Sequence, residues 1–324
     1  MKGGAHSECA VRVGVIVNPH ASGNRRCPDR AEKLRGIVGS HGVVRETKDL
    51  SDLDGALEEF RDSEIEVLAL CGGDGSISHG LSRALSIWGP QQLPRVVVLR
   101  AGTINNISRS VGGPVRAEKG LEAMLAGLAA GREPTICRRA MIQVNGERSG
   151  FIIGAGLITH FLELYYEGAR PGPFRAAFLL VVLGCSYLIG GKRIHSVVPT
   201  VAGRVENDDQ VLPQRGFTLI LASTVESIGL GVRPFYLAGR KPGFFHVLAG
   251  DPTAGQLLLR LWHFWRGFPP RLDPLYDGPA RRLKVSFETP QRYTIDGELF
   301  GPDDELVLET GPTIEFLSPY LTEN

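Results

Sequence analysis

The chain has 324 residues, 43% of them apolar, which is enough for two sizeable hydrophobic cores. Its 36 Lys and Arg against 35 Asp and Glu leave a formal charge of +1, so nothing global recruits nucleic acid or an anionic membrane, and any cationic site must be local. Five cysteines, an odd number with no C-x-x-C pair, argue against a disulfide framework or a cysteine zinc site and match a reducing cytoplasm.

The first twelve residues (MKGGAHSECAVR) lack the continuous apolar stretch of a secretion signal, which agrees with a cytoplasmic protein. Residues 11–17 (VRVGVIV) read as a central strand ending in the turn Asn18-Pro19-His20-Ala21-Ser22-Gly23. Ala31, Leu34, Ile37 and Val38 mark a helix, 43–47 a short strand, and Leu53, Leu57 and Phe60 a second helical face. Residues 65–70 form the next strand, and it runs into the stretch on which the chain centres, 68–78 (LALCGGDGSIS).

There Gly72, Gly73 and Gly75 permit positive φ and let a ligand approach the backbone, while Asp74 is the only charge. Ser76, Ile77, Leu81, Ala84 and Leu85 follow at helical spacing, so a helix N-terminus is expected to face the turn. Such an end suits phosphates. Asp74 would repel a bare phosphate, so it implies either an intervening Mg²⁺ or a proton acceptor, and both point to phosphoryl transfer. The bland alternative is ordinary Asp-Gly turn chemistry.

Residues 95–99 (RVVVL) read as a further strand followed by the turn Gly102-Thr103-Ile104-Asn105-Asn106, and 121–128 as a helix. Strands alternating with helices predict an α/β domain with a mostly parallel sheet whose ligands bind at the strands' carboxyl ends, where all three turns lie. Beyond about residue 135 strands dominate: 136–144, 150–154, 195–205, 217–222, 244–249, 282–288, 292–295 and 305–309. They predict a C-terminal antiparallel β-sandwich with helical insertions near 159–190 and 253–266. The apolar run 176–189 is shorter than the roughly 20 residues of a membrane span and reads as a buried helix.

The motifs NPHASG, GGDGSIS, GTINN and IDGE (295–298) resemble, in order and spacing, the diacylglycerol kinase catalytic family, which includes sphingosine, ceramide and bacterial lipid kinases. NAD kinases and phosphofructokinases share a GGDG turn, so the NP-x-x-SG opening and the late DGE are what favour the lipid kinases. The resemblance implies an ATP-binding domain, placed at 1–134, and a lipid-substrate domain, placed at 135–324, whose extreme C-terminus packs back on the first. It implies that Asn18, Pro19, Ser22, Gly23 and Thr47 lie near the nucleotide. Gly72, Gly73, Asp74, Gly75 and Ser76 would hold the phosphates and Mg²⁺ through Asp74, with Thr103 and Asn105 closing the pocket. Glu298 would be the general base, supported by Asp296.

Departures from the family pattern stand at Ser76, Ile104 and Asn106, where Thr, Gly and Asp are usual. Arg240-Lys241-Pro242-Gly243 occupies the place of an acidic turn that holds a structural Mg²⁺ in bacterial relatives, so that metal is not expected. An Asp usual after the second domain's G-x-G, which would bind a sphingoid amine or glycerol hydroxyl, is missing, and His160 would offer the substrate a hydrogen bond there. His160, His195, His246 and His263 fit no metal-ligand spacing.

The reading is therefore an ATP- and Mg²⁺-dependent kinase of a neutral lipid hydroxyl, with diacylglycerol as the first expectation. It would be cytoplasmic and peripheral to a membrane, with no nucleic-acid partner and no oligomeric state indicated. The alternatives are a soluble NAD kinase-like phosphotransferase, with Asp74 alone as base, and a catalytically weak lipid- or nucleotide-binding module. The aromatic run 257–268 (LLLRLWHFWRGF) reads as a helix packed into the sandwich or, alternatively, as a lip at the membrane interface.

Overall fold

The computed structural model of the chain describes residues 11–167, Gly172, Arg175, Phe178, Leu179, Val182 and 199–318. They form two compact units: residues 11–102, Val111–Cys137 and 315–318 make the first, and Thr103–Ser110 with the described residues of Arg138–Ile314 the second. Each has its own buried core.

In the first unit the chain runs β1 (Val13–Val17), α1 (Ser22–Arg25), α2 (Arg30–Val38), β2 (Gly42–Glu46), α3 (Leu50–Asp62), β3 (Val67–Gly72), α4 (Asp74–Trp88) and β4 (Arg95–Arg100). It supplies α5 (Asn106–Ser110) to the second unit and returns for α6 (Ala117–Ala129). The four strands pair in parallel in the order β2-β1-β3-β4. All residues of β1 and β3 are buried, as expected of central strands covered on both faces. Helix α3 buries Leu53, Ala56, Leu57 and Phe60, and its N-cap Asp49 accepts the Asp52 N–H at 2.8 Å, a cap worth about 1 kcal/mol.

The second unit is antiparallel. Its strands are β5 (Thr135–Val144, whose first three residues lie in the first unit), β6 (Arg148–Gly150), β7 (Ile152–Gly156), β8 (Val201–Asn207), β9 (Gln210–Val211), β10 (Gly216–Phe217) and β11 (Leu219–Ser223). They continue with β12 (Phe245–Gly250), β13 (Leu275–Ala280), β14 (Arg282–Ile295) and β15 (Glu298–Ser318). Helix α7 (Leu157–Tyr166) follows β7, and α8 (Ala254–Leu259) and α9 (Leu261–Arg266) follow β12.

The two stretches read as separate strands at 282–288 and 292–295 are one strand, β14, with register shifts between Ser286 and Tyr293. Its first half pairs with β8 and its last residues with β7, so a single strand serves both sides of the core formed by Val205, Phe217, Val247, Val285 and Leu308. Beyond residue 314 the chain rejoins the first unit, where Phe316 pairs in parallel with Val96 of β4.

The expected helix over 253–266 is two short helices broken at Arg260, and only Phe264 of its Trp and Phe side chains is buried. Apart from Phe178, Leu179 and Val182, the run 176–189 lies outside the described residues, as do 195–198 of the expected strand 195–205.

Candidate active site

The parallel register brings four strand ends side by side. Val17 pairs with both Glu46 and Cys71, and Gly72 with Arg100, so Asn18, Thr47, Gly73 and Ala101 follow the carboxyl ends of adjacent strands. Hydrogen bonds then tie the loops together. Asn18 Nδ2 donates to Ser76 Oγ at 2.6 Å, its Oδ1 accepts the His20 N–H at 2.8 Å, and its backbone N–H donates to Cys71 O at 3.1 Å. The Gly23 N–H donates to Ala101 O at 2.7 Å, and the buried Thr47 N–H to Val17 O at 3.0 Å. Thus Asn18, Gly23, Thr47 and Ser76 are held in one cluster within the first unit; Pro19 and Ser22 lie in the same loop.

Helix α4 begins at Asp74 directly after β3. Gly73 is its N-cap, with φ −91° and ψ 177°, and no side chain caps the helix. Positive φ, anticipated for Gly72, Gly73 and Gly75, is not used: Gly72 is in β3, Gly73 is extended, and Gly75 lies in the first helical turn. The glycines are required by closeness. A Cβ on Gly72 would stand 2.6 Å from Ser76 Cβ, and one on Gly73 3.3 Å from Gly102 Cα.

These features fit a nucleotide phosphate. Fifteen residues of helix point an uncapped N-terminus at a turn stripped of side chains. They also fit Mg²⁺, which is usually held by one or two carboxylates together with substrate phosphates, and Asp74 in the first turn supplies one. Beside the turn, burial pushes the Cys71 thiol up to about 11, so it stays a neutral packing group.

In the second unit Asp296 and Gly297 form the two-residue turn joining β14 to β15, with φ of 49° and 93° as a type I′ hairpin requires. The Asp296 carboxylate turns back onto the neighbouring strand connection. Oδ1 accepts the N–H of Phe151 at 3.0 Å and of Ile152 at 2.8 Å, and Oδ2 lies 3.2 Å from the Phe151 nitrogen. Gly150 makes room for it, since a Cβ there would come within 2.8 Å of Asp296 Oδ2.

Glu298 starts β15 with its side chain exposed. Tyr166 of α7 donates its hydroxyl to Gly297 O at 3.0 Å, and burial, then Tyr165 and the Glu298 carboxylate, hold that hydroxyl's pKa above its ordinary range. His160 Nδ1 lies 3.0 Å from Gly156 O; donating there, it leaves Nε2 as the ring's outward acceptor. Thr103 and Asn105 also belong to the second unit, and Asn105 takes the left-handed conformation with φ 58°.

A sequence profile of the diacylglycerol kinase catalytic domain matches residues 12–131. The chain is 30% identical over 299 residues to a YegS-like lipid kinase of Enterobacter sp. (strain 638), covering 88% of each protein. It belongs to the diacylglycerol kinase catalytic family of lipid kinases. Its fold is also that of a Bacillus anthracis diacylglycerol kinase, at TM-score 0.64 and 15% identity over 94% of this chain and 96% of the other. A second structure from the same organism gives 0.71 and 16% over 98% of both.

In this member of the family one residue of the cluster escaped the sequence reading. Asn24 is almost fully buried, and its Nδ2 donates to Asn18 O at 2.7 Å and Cys71 O at 3.2 Å, fastening the first loop to β3. The signal was an Asn placed directly after the Ser-Gly of the loop, where its short amide can bond to nearby backbone.

Proposed function

We propose that this lipid kinase transfers the γ-phosphate of ATP to a hydroxyl of a neutral lipid, with diacylglycerol as the first candidate acceptor. The reading is carried by the uncapped N-terminus of α4 with Asp74 in its first turn. In it, the backbone N–H groups at Gly73 to Ser76 bind phosphate oxygens, and Asp74 is the residue that would hold Mg²⁺. When bound, the metal supplies charge neutralisation to the phosphates. Asn18 keeps Ser76 oriented, and Thr103 and Asn105 complete the nucleotide contacts.

On the acceptor side, a carboxylate oxygen of Glu298 takes the hydroxyl proton as the lipid oxygen bonds to the γ-phosphorus, and the bond from that phosphorus to the bridging oxygen breaks to release ADP. Asp296 supports Glu298 by holding the turn that carries it. His160 Nε2 accepts a hydrogen bond from the lipid's polar end.

The test is single-turnover transfer from labelled ATP into a total lipid extract and into pure diacylglycerol, at saturating ATP and lipid. Asp74→Asn should lower Mg²⁺-dependent ATP affinity and transfer together. Glu298→Gln should leave both ligands bound and slow turnover by roughly 10²–10⁴-fold. Label passing to NAD and to no lipid would replace this reading with the NAD kinase one. Binding of ATP and lipid without transfer to any acceptor would leave only a binding module.

A further inference from the structure

Residues 254–271 (AGQLLLRLWHFWRGFPPR) hold three arginines, one histidine and no acid, in a chain whose overall charge is +1. The segment is anchored by its inner side. Phe264 is buried in a cluster with Leu219, Leu221, Phe235 and Leu248, and Leu257 packs against the same cluster seven residues earlier. A Thr253–Gln256 capping box starts α8, and Gly267 in the left-handed conformation ends α9.

With that face turned inward, the other face is left bare. Leu259 is 83% exposed, Trp262 57%, Phe268 50%, and Leu261 and Trp265 48% each. Singly exposed apolar residues need no explanation, but five large ones within ten residues form a patch that does. The two indoles meet edge to face at 5.4 Å, and the Arg266 guanidinium lies 5.4 Å from the Trp262 ring, so cation and indole stand together.

We propose that the α8–α9 segment is a docking lip for a bilayer bearing anionic lipid, with Leu259, Leu261, Trp262, Trp265 and Phe268 entering the boundary between headgroups and acyl chains. The proposal deepens the lipid-kinase reading by naming the surface on which its substrate is met. Indoles favour that boundary, and Arg260, Arg266 and Arg271 offer charge to lipid phosphate. A second copy of the chain is the poorer occupant, because two such faces would bring like charges together. The nearby Arg233 is ion-paired with Glu226, so it adds little net charge. Among the described residues no helix is long and apolar enough to cross a membrane, so contact of these residues with lipid is by a surface and not a helical span.

Two of the chain's three tryptophans, Trp262 and Trp265, lie on this lip, so intrinsic fluorescence reads insertion directly. The full chain is mixed with vesicles of phosphatidylcholine, or of equal parts phosphatidylcholine and phosphatidylglycerol, made with and without bromine-labelled acyl chains. The expected result is sedimentation with the anionic vesicles and quenching of tryptophan emission by bromine. Replacing both Trp262 and Trp265 with Ala should cut vesicle partitioning at least about tenfold. Arg260→Gln and Arg266→Gln should each cost roughly fivefold on anionic vesicles and little on neutral ones.

Absence of binding and quenching in the wild type overturns the proposal, as do partitions unchanged in both sets of variants. A dimer in sedimentation velocity that the tryptophan substitutions dissolve would assign the face to a second copy and also overturn it. Transfer of labelled phosphate to short-chain diacylglycerol dispersed as monomers separates the two readings. It should be equal in the wild type and the double tryptophan variant, and its loss in both, with docking intact, would remove the kinase reading while leaving the lip in place.

Discussion

Replacing Asp296 distinguishes an architectural carboxylate from one that takes part in the chemistry. Its carboxylate receives two backbone N–H groups, from the fully buried Phe151 and from Ile152. A hydrogen bond to a charged group contributes about 1.5–3 kcal/mol, and the low end applies because this carboxylate is partly exposed. Losing both therefore costs about 3 kcal/mol.

The backbone adds to this in Asp296→Ala, because φ is 49° and alanine pays about 1–2 kcal/mol there. Asp296→Gly removes the acceptor without that strain, so it should sit about 1 kcal/mol above Asp296→Ala. Asp296→Asn keeps an oxygen acceptor and tolerates the left-handed conformation, so it should lose only about 1 kcal/mol. The assay is urea unfolding of the wild type and three variants, paired with turnover at saturating ATP and lipid. Turnover should follow stability, falling least in Asp296→Asn. An Asp296→Asn protein with wild-type unfolding and a turnover reduced a hundredfold or more would refute the reasoning and make this carboxylate a chemical participant.

Gly73→Val should fold, since φ of −91° suits valine, yet crowd Gly102 and lose ATP affinity; retained affinity in isothermal titration would move the phosphate site elsewhere. Asn24→Leu should destabilise by about 1–3 kcal/mol in thermal melts and weaken ATP binding, because Asn18 O and Cys71 O lose their shared donor. Tyr236 donates to Asp277 Oδ2 at 3.0 Å, and burial, then that carboxylate, push its pKa from 10.0 to about 12. The folded value lies above the unfolded one, so its contribution is complete below pH 10 and fades as pH rises to 12. The melting-temperature gap between wild type and Tyr236→Phe should therefore shrink across that range, and a constant gap would contradict the assignment.

The parallel unit was legible because its central strands, β1 and β3, are fully buried. Continuous apolar runs such as VGVIV and VLALCG, separated by helical periods, have few other readings. The strand at 282–295 was harder. Thr289, Pro290 and Gln291 interrupt the alternation, as a turn would, but in the structure they carry the irregularity that lets one strand change partners. The packed-helix reading of the aromatic run failed differently. Its spacing predicts one buried helical face, whereas the break at Arg260 and the anchor at Phe264 leave both tryptophans outside. Periodicity finds an apolar face, but only packing tells which residues on it meet the core.

The same distinction governs the departures in GTINN. Read as a motif, Ile104 and Asn106 are two substitutions in a nucleotide loop, and the loss of an acid at 106 looks like a loss of function. Read by contact, both are used within the second unit. A Cβ on Gly229 would come within 3.1 Å of Ile104 Cγ2, so the two loops already touch, and Ser227 Oγ lies 3.4 Å from Asn106 Oδ1 in a buried pair. An aspartate at 106 could accept the same hydroxyl, but it would bring a charge into a site that is nearly closed to water, at a cost the neutral amide avoids. Hence Asn106→Asp should not restore a missing catalytic group. It should lower the melting temperature without raising turnover, and a rise in Mg²⁺-dependent turnover with unchanged stability would show that the motif reading of this position was the better one.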